Sequence, residues 1–235
     1  MTVVPALSIA PMVGWTDRHW RFLMRQISSN VQLYTEMIAG EAVAYSEKLD
    51  SFLGHEQCEE PLALQIGTAN PSVAGEAVSR AQAFGGFNEF NLNCGCPSKK
   101  AKKGGFGAEL MLNPQLVREV CYAMNRRATS TEVSVKCRLG VQSKANGAQT
   151  FDDLVNFVHA VRSAGTRRII IHARFGLLHG MSPAQNRTIP NLNYEWVFRI
   201  AGLFPDMSFQ LNGGVSSLDE AEQHLFHLDG HGVAP

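Results

Sequence analysis

The residues most able to do chemistry lie in one short stretch. Asn91-Leu92-Asn93-Cys94-Gly95-Cys96-Pro97-Ser98 follows an apolar run, and Gly95 and Pro97 fix a tight turn that presents the Cys96 thiol. An ordinary thiol, with a pKa near about 8.5, is mostly protonated at neutral pH, so a general-acid role fits. Nucleophile, metal ligand and small buried hydrophobe are the other readings of a cysteine. The strand-end setting favours the acid for Cys96, whereas Cys94 and Cys137 read as buried hydrophobes. Metal binding is not expected, because zinc sites pair closely spaced cysteines with a second ligand cluster, and the sequence has none.

Lys136 and His172 end two adjacent candidate strands. A buried lysine needs an anion or an electron-rich ring beside it, unless its stem packs while the amine reaches water. His172 reads equally as a hydrogen-bonded core histidine. Asn212-Gly213-Gly214 precedes a helix start at Ser217, where glycine backbone N–H groups and a helix N-terminus suit a phosphate. Lys99-Lys100-Ala101-Lys102-Lys103-Gly104-Gly105 is the one dense basic run. It reads as a solvated loop or, beside Cys96, as a grip on nucleic-acid phosphates, with Arg18, Arg174 and Arg187 adding to the same rim.

These residues need a frame. Short apolar runs at 6–10, 32–37, 61–66, 89–93, 132–138, 168–173 and 208–212 alternate with helical patterns at 71–83, 113–124, 151–164, 194–203 and 217–228. Such alternation implies parallel strands joined by crossover helices, and runs such as Arg168-Ile169-Ile170-Ile171 imply burial on both faces. Pro11-Met12, Glu36, Gln65, Asn93, Lys136 with Arg138, His172 with Arg174, and Asn212 all fall at the ends of strands, the rim that carries chemistry in a (β/α)₈ barrel. An eighth strand is expected from about Leu228. The stretch 175–193 is the longest loop, a length usually tied to function. The 235 residues, 45% hydrophobic, suit one domain over 1–235. With 21 basic and 21 acidic side chains there is no general basic field, so RNA contact must come from a local cluster. Five irregularly spaced cysteines, a poor signal sequence and no long apolar run point to a soluble, cytoplasmic protein away from membranes.

The motif set resembles the tRNA-dihydrouridine synthases, most closely their A-type branch, the tRNA-dihydrouridine(20/20a) synthase-like group. The matching stretches are Ala10 through His19, Leu33 through Met37, Leu62 through Gln65, Asn91 through Ser98, Val135 through Arg138, Ile171 through Arg174, Asn186 through Pro190, and Asn212-Gly213-Gly214. The resemblance implies a TIM barrel of the FMN-linked oxidoreductase type. It implies FMN as cofactor, reduced by NADPH or NADH, and tRNA as partner of a monomer. Carried over, Pro11, Met12, Gln65, Lys136, His172, Asn212, Gly213 and Gly214 hold the flavin. Asn93 and Arg187 contact the target uracil and Cys96 is the catalytic acid, while Arg18, Lys99, Lys100 and Arg174, from the basic run and rim, would face the tRNA. Hydride enters at C6 of a D-loop uracil of the U20/U20a class and Cys96 protonates C5. The base must leave its stack to reach such a pocket.

Three departures accompany the resemblance. Glu109 stands where the A-type pattern has a second cysteine. The family's Gly-Arg phosphate motif on the eighth strand has no counterpart in His231-Gly232-Val233-Ala234-Pro235. The C-terminal helical tRNA-binding domain is absent too, so a C-terminally truncated barrel with an incomplete eighth β/α unit is expected. Two other functions remain open on the residues alone: an FMN barrel reductase of a free pyrimidine, of the dihydroorotate type, and a tRNA-binding remnant that has lost its flavin.

Overall fold

The computed structural model describes residues 5–145 and 147–228, and the backbone alone of 232–234. Asp229, Gly230 and His231, and the last residue, Pro235, lie outside the described residues. In chain order the elements are α1 (Arg18–Ile27), β1 (Leu33–Tyr34), β2 (Ile38–Ala39), α2 (Gly40–Tyr45), α3 (Asp50–Leu53), β3 (Leu62–Gly67), α4 (Pro71–Phe84), β4 (Glu89–Asn93) and α5 (Lys99–Lys103). Then come α6 (Pro114–Arg127), β5 (Glu132–Arg138), β6 (Val141–Ser143), β7 (Gly147–Ala148), α7 (Phe151–Ser163), β8 (Arg168–His172) and β9 (Gly176–Leu177). The last are α8 (Gln185–Thr188), α9 (Tyr194–Leu203), β10 (Ser208–Asn212), α10 (Leu218–His227) and β11 (Gly232–Ala234).

The helices begin where local chemistry tells them to. Asn70 and Asn113 accept backbone N–H groups ahead of Pro71 and Pro114, so each helix starts with a side-chain cap and a proline in its first turn. Thr150 and Asp153 form a capping box for α7, and Ser217, the helix start read from the sequence, caps α10 by accepting from the Glu220 N–H.

The main sheet is parallel and runs β1-β3-β4-β5-β8-β10-β11, with β2 also on β3. This is the expected TIM-barrel-like α/β arrangement. Its strands alternate. Phe90, Leu92, Val133, Val135, Ile169, Ile171, Phe209 and Leu211 are buried in the hydrophobic core with residues of α4, α6 and α7. Glu89, Asn91, Asn93, Ser134, Lys136, Arg168, His172, Gln210 and Asn212 occupy the other phase. Bonds between these polar side chains, one of which crosses β8 from Lys136 to Asn212, place them together on the concave face. The barrel interior is therefore a stack of polar side chains wrapped in an apolar shell.

Four details differ from the sequence reading. The 6–10 run makes only a bridge, Ser8 to Gln32, because its pairing stops after two backbone hydrogen bonds. The 32–37 run is one strand broken at 35–37, where Thr35 turns its hydroxyl to the Gln65 N–H (3.0 Å) instead of continuing the ladder. The eighth strand is β11, paired with β10 from Gly232, because α10 continues to His227 and Leu228 is its cap. The 175–193 stretch is not a structureless loop: β9 joins β6 and β7 in a small second sheet, and α8 follows.

Candidate active site

The thiol loop is held from inside the barrel. Asn93 Oδ1 accepts the N–H groups of Gly95 (3.0 Å) and Cys96 (2.9 Å), and its Nδ2 donates to Gln65 Oε1 (2.8 Å). Gln65 Nε2 donates to Asn91 Oδ1 (2.7 Å), and Asn91 Nδ2 to Ser134 Oγ (2.6 Å). Ser134 donates in turn to Glu89, which also accepts from Tyr34 (2.8 Å) and pairs with Arg168 at 3.2 Å. A continuous polar ladder thus runs from the buried Glu89–Arg168 pair to the backbone of Cys96. Buried polar groups need such partners, and a chain of them holds one geometry.

Cys96 is half-buried and its Sγ donates to Ser98 Oγ at 3.3 Å. The other cysteines differ. Burial pushes the thiols of Cys121 and Cys137 up to about 12 and that of Cys94 well above the thiol range, so all three stay protonated and inert. The buried-hydrophobe reading of Cys94 and Cys137 holds.

Lys136 and His172 share the rim with that loop. Strand register sets Asn93 beside Lys136, Arg138 beside His172, and His172 beside Asn212. Lys136 Nζ donates to Asn212 Oδ1 at 2.7 Å. Burial, then Arg138, lowers its amine to about 8, with Cys137 and Cys96 pulling the other way. Burial pushes His172 down to about 2, helped by Lys136, Arg138, Arg174 and Arg187, so its imidazole is neutral. Those four cations surround a neutral ring, and among the described residues none of them has a carboxylate partner.

Three buried donor or acceptor atoms here have no partner among the described residues: His172 Nδ1, and Nε and Nη1 of Arg174. Gly213 and Gly214 adopt positive φ, +101° and +82°. A Cβ on Gly213 would lie 3.0 Å from the His172 ring, and one on Gly214 2.5 Å from Leu192. Orphaned donors, unpaired cations and a bare glycine shelf at a strand end form a site suited to a planar heteroaromatic ring carrying a phosphate, and FMN fits it.

The remaining predicted residues divide. Pro11 and Met12 enter a turn closed by Thr16, and Glu36 accepts the Gly14 N–H from that turn. Lys99 and Lys100 are exposed on α5, a short helix capped by Ser98 where a loop was expected, because Ser98 supplies the first-turn acceptor for the Ala101 N–H. Arg187 is exposed on α8, beside buried Asn186. Arg18 stands apart. It starts α1, pairs with Glu56 at 3.7 Å, and lines a groove of about 440 Å³ with Phe22 and Cys58. Glu109 pairs with Lys102 at 3.5 Å, so this position is an ion pair at the edge of the basic run. Sequence reasoning noted Arg138 at a strand end but gave it no role. It is 4% exposed and bonds three separate backbone carbonyls, at Gly95, Phe175 and Asn186.

Fold and rim together define a parallel β/α-barrel protein whose candidate site lies at the C-terminal strand ends. A 2-naphthoyl-CoA reductase in complex with 2-naphthoyl-CoA has the same fold: TM-score 0.64 at 9% identity, over 97% of this chain and 47% of that one. The dihydrouridine synthase (Dus) family model matches residues 8–234, and the chain belongs to that family. It is 42% identical over 224 residues to a tRNA-dihydrouridine(20/20a) synthase of Xanthomonas campestris pv. campestris, covering 95% of this chain. It is 43% identical over 223 residues to one of Pseudomonas putida, again 95% of this chain, and 41% identical over 232 residues to one of Escherichia coli O6:H1, 97% of this chain. The chain spans 65%, 64% and 68% of the length of these three relatives.

Proposed function

We propose that this chain carries the reducing site of a tRNA-dihydrouridine synthase that saturates the C5=C6 bond of D-loop uridines of the 20/20a class. The observation that carries the reading is the shared rim. The Cys96 loop is bonded to Arg138, and Arg138 stands in register with His172 and two residues from Lys136. The names of the relatives supply the substrate class.

FMN, reduced by NADPH or NADH, supplies the hydride for C6 when bound. Lys136, His172 and Asn212, with Gln65 below, would hold its ring and Gly213 and Gly214 its phosphate, while Arg174 would add to the rim that meets the tRNA. Pro11 and Met12 close the side of the rim next to Glu36. The protonated amine of Lys136 would favour electron density on the ring, and neutral His172 leaves Nδ1 free for one further hydrogen bond. Cys96 Sγ holds the proton destined for C5. Asn93 keeps that sulfur in place through the Cys96 N–H and edges the uracil with Arg187. Lys99 and Lys100 meet tRNA phosphates as exposed cations. Five free cysteines and a tRNA substrate suit the reducing cytoplasm.

The test is direct. The purified chain should bind FMN and form dihydrouridine in unmodified tRNA. Cys96→Ala should keep FMN and its reduction by NADPH while losing about 10²–10⁴-fold in dihydrouridine formation, the usual contribution of a general acid. Undiminished turnover by Cys96→Ala removes the acid role. A colourless chain that still binds tRNA means a remnant, and reduction of free pyrimidines in preference to tRNA means the other class of barrel reductase.

A further inference from the structure

Arg138 is buried at the centre of the rim, yet its guanidinium meets no carboxylate among the described residues. It donates from Nε to Gly95 O (2.9 Å), and from Nη1 to Phe175 O (3.1 Å) and Asn186 O (3.0 Å). These acceptors come from three places: the thiol loop after β4, the turn after β8, and α8. The segment from 175 to 188 is already one unit. Asn186 is fully buried, accepts the Leu177 N–H (2.7 Å), and donates to Leu177 O (3.2 Å) and Ser182 O (3.3 Å). Gly176 leaves room for the arginine stem, since a Cβ there would lie 2.9 Å from Arg138 Cδ. One planar fork therefore joins that unit to the carbonyl next to Cys96. A lysine has three donors but on one nitrogen, and lacks the Nε-to-Nη1 separation over which these three carbonyls are bonded.

We propose that Arg138 is a positioning residue that couples the Cys96 loop to the segment carrying Arg187, so that proton donor and base-contacting arginine open and close as one body. The proposal rests on the acid role of Cys96 for its meaning in catalysis, but the coupling itself is a property of the protein alone.

Hydrogen exchange of the full chain tests it without flavin or tRNA. In Arg138→Ala, the amides of Cys96 and Leu177 should lose protection together by about tenfold or more, one decade being ~1.4 kcal/mol. Helices α4 and α6 should keep theirs, and guanidinium at sub-denaturing concentration should restore both amides where methylammonium does not. Arg138→Lys should loosen both as well. Loosening of one amide without the other, or no rescue by guanidinium, overturns the coupling. If either variant also loses protection in α4 and α6, the unmutated chain decides. Its Cys96 and Leu177 amides should exchange through one opening with one denaturant dependence, and two distinct openings refute the proposal. Where the chain turns over, Arg138→Ala should lower kcat for dihydrouridine formation, and the guanidinium that restores the two amides should restore part of it. A normal kcat counts against the residue.

Discussion

Replacing Lys136 with methionine should strengthen the ligand-free fold while weakening the site. Burial, with Arg138 next, brings the Lys136 amine down from its ordinary 10.5 to about 8. A drop of that size corresponds to about 3 kcal/mol of preference for the neutral amine, which the folded chain forgoes by keeping the charge at neutral pH. The side chain is not wholly enclosed, so solvent screening trims that figure to about 2–3 kcal/mol. Methionine keeps the packed stem and removes the charge, but it gives up the 2.7 Å bond to Asn212, worth about 1 kcal/mol. The expected net is a gain of about 1–2 kcal/mol for Lys136→Met near neutral pH.

The pH dependence carries the sign. Below pH 8 the amine is protonated in both folded and unfolded chains, and the wild type bears the full cost. Between 8 and 10.5 the folded chain sheds the proton while the unfolded chain keeps it, so wild-type stability rises with pH and the advantage of the variant fades. Urea melts of both chains across that window, with FMN titrations beside them, measure both halves. A variant less stable than wild type at neutral pH, or a stability gap that does not change through the window, refutes the reasoning. Undiminished FMN affinity in Lys136→Met removes the lysine from the site.

Gly214→Ala forces a Cβ to within 2.5 Å of Leu192 and 2.7 Å of the Tyr194 hydroxyl at φ +82°, a strain of about 1–2 kcal/mol, and should weaken FMN binding about tenfold or more in a fluorescence titration. Arg168→Met leaves Glu89 buried without its counter-charge and should destabilise the chain by about 3–5 kcal/mol in denaturant melts, with Glu89→Gln on the same chain recovering most of the loss.

Much of this was legible in the sequence because the signals were local. The 89–93, 132–138 and 208–212 runs coincide with β4, β5 and β10, and Ser217, read as a helix start, caps α10. Lys136, His172, Asn212 and the Cys96 loop could be grouped because each ends a strand, and parallel strands bring their ends together. What escaped depends on distant partners. Elements β6, β7 and β9 have two or three residues, too few to show a period. The 175–193 stretch reads as loop because its order comes from the buried amide of Asn186 rather than from its own propensities. Arg138 was visible as one more strand-end cation. Its acceptors lie 43, 37 and 48 residues away in sequence, and no local pattern announces them.

The concave face explains why one barrel can be both rigid and reactive. At its lower end the charges cancel within the protein, with Glu89 held by Arg168, Tyr34 and Ser134. In the middle, the amides of Gln65, Asn91 and Asn93 satisfy one another and need no charge. At the upper end Lys136, Arg138, Arg174 and Arg187 stand without carboxylates, around a histidine that cannot take a proton near neutral pH. Polar completeness therefore declines along the strands toward their C-terminal ends. Buried charge without a counter-charge is costly, so such positions mark a candidate site for an outside group. The lower levels fix the geometry, and the upper level leaves open the positions that an anionic cofactor and a polyanionic substrate can fill. Asn93 joins the two, since its amide nitrogen belongs to the self-satisfied ladder and its oxygen holds the N–H of Cys96, the proposed proton donor.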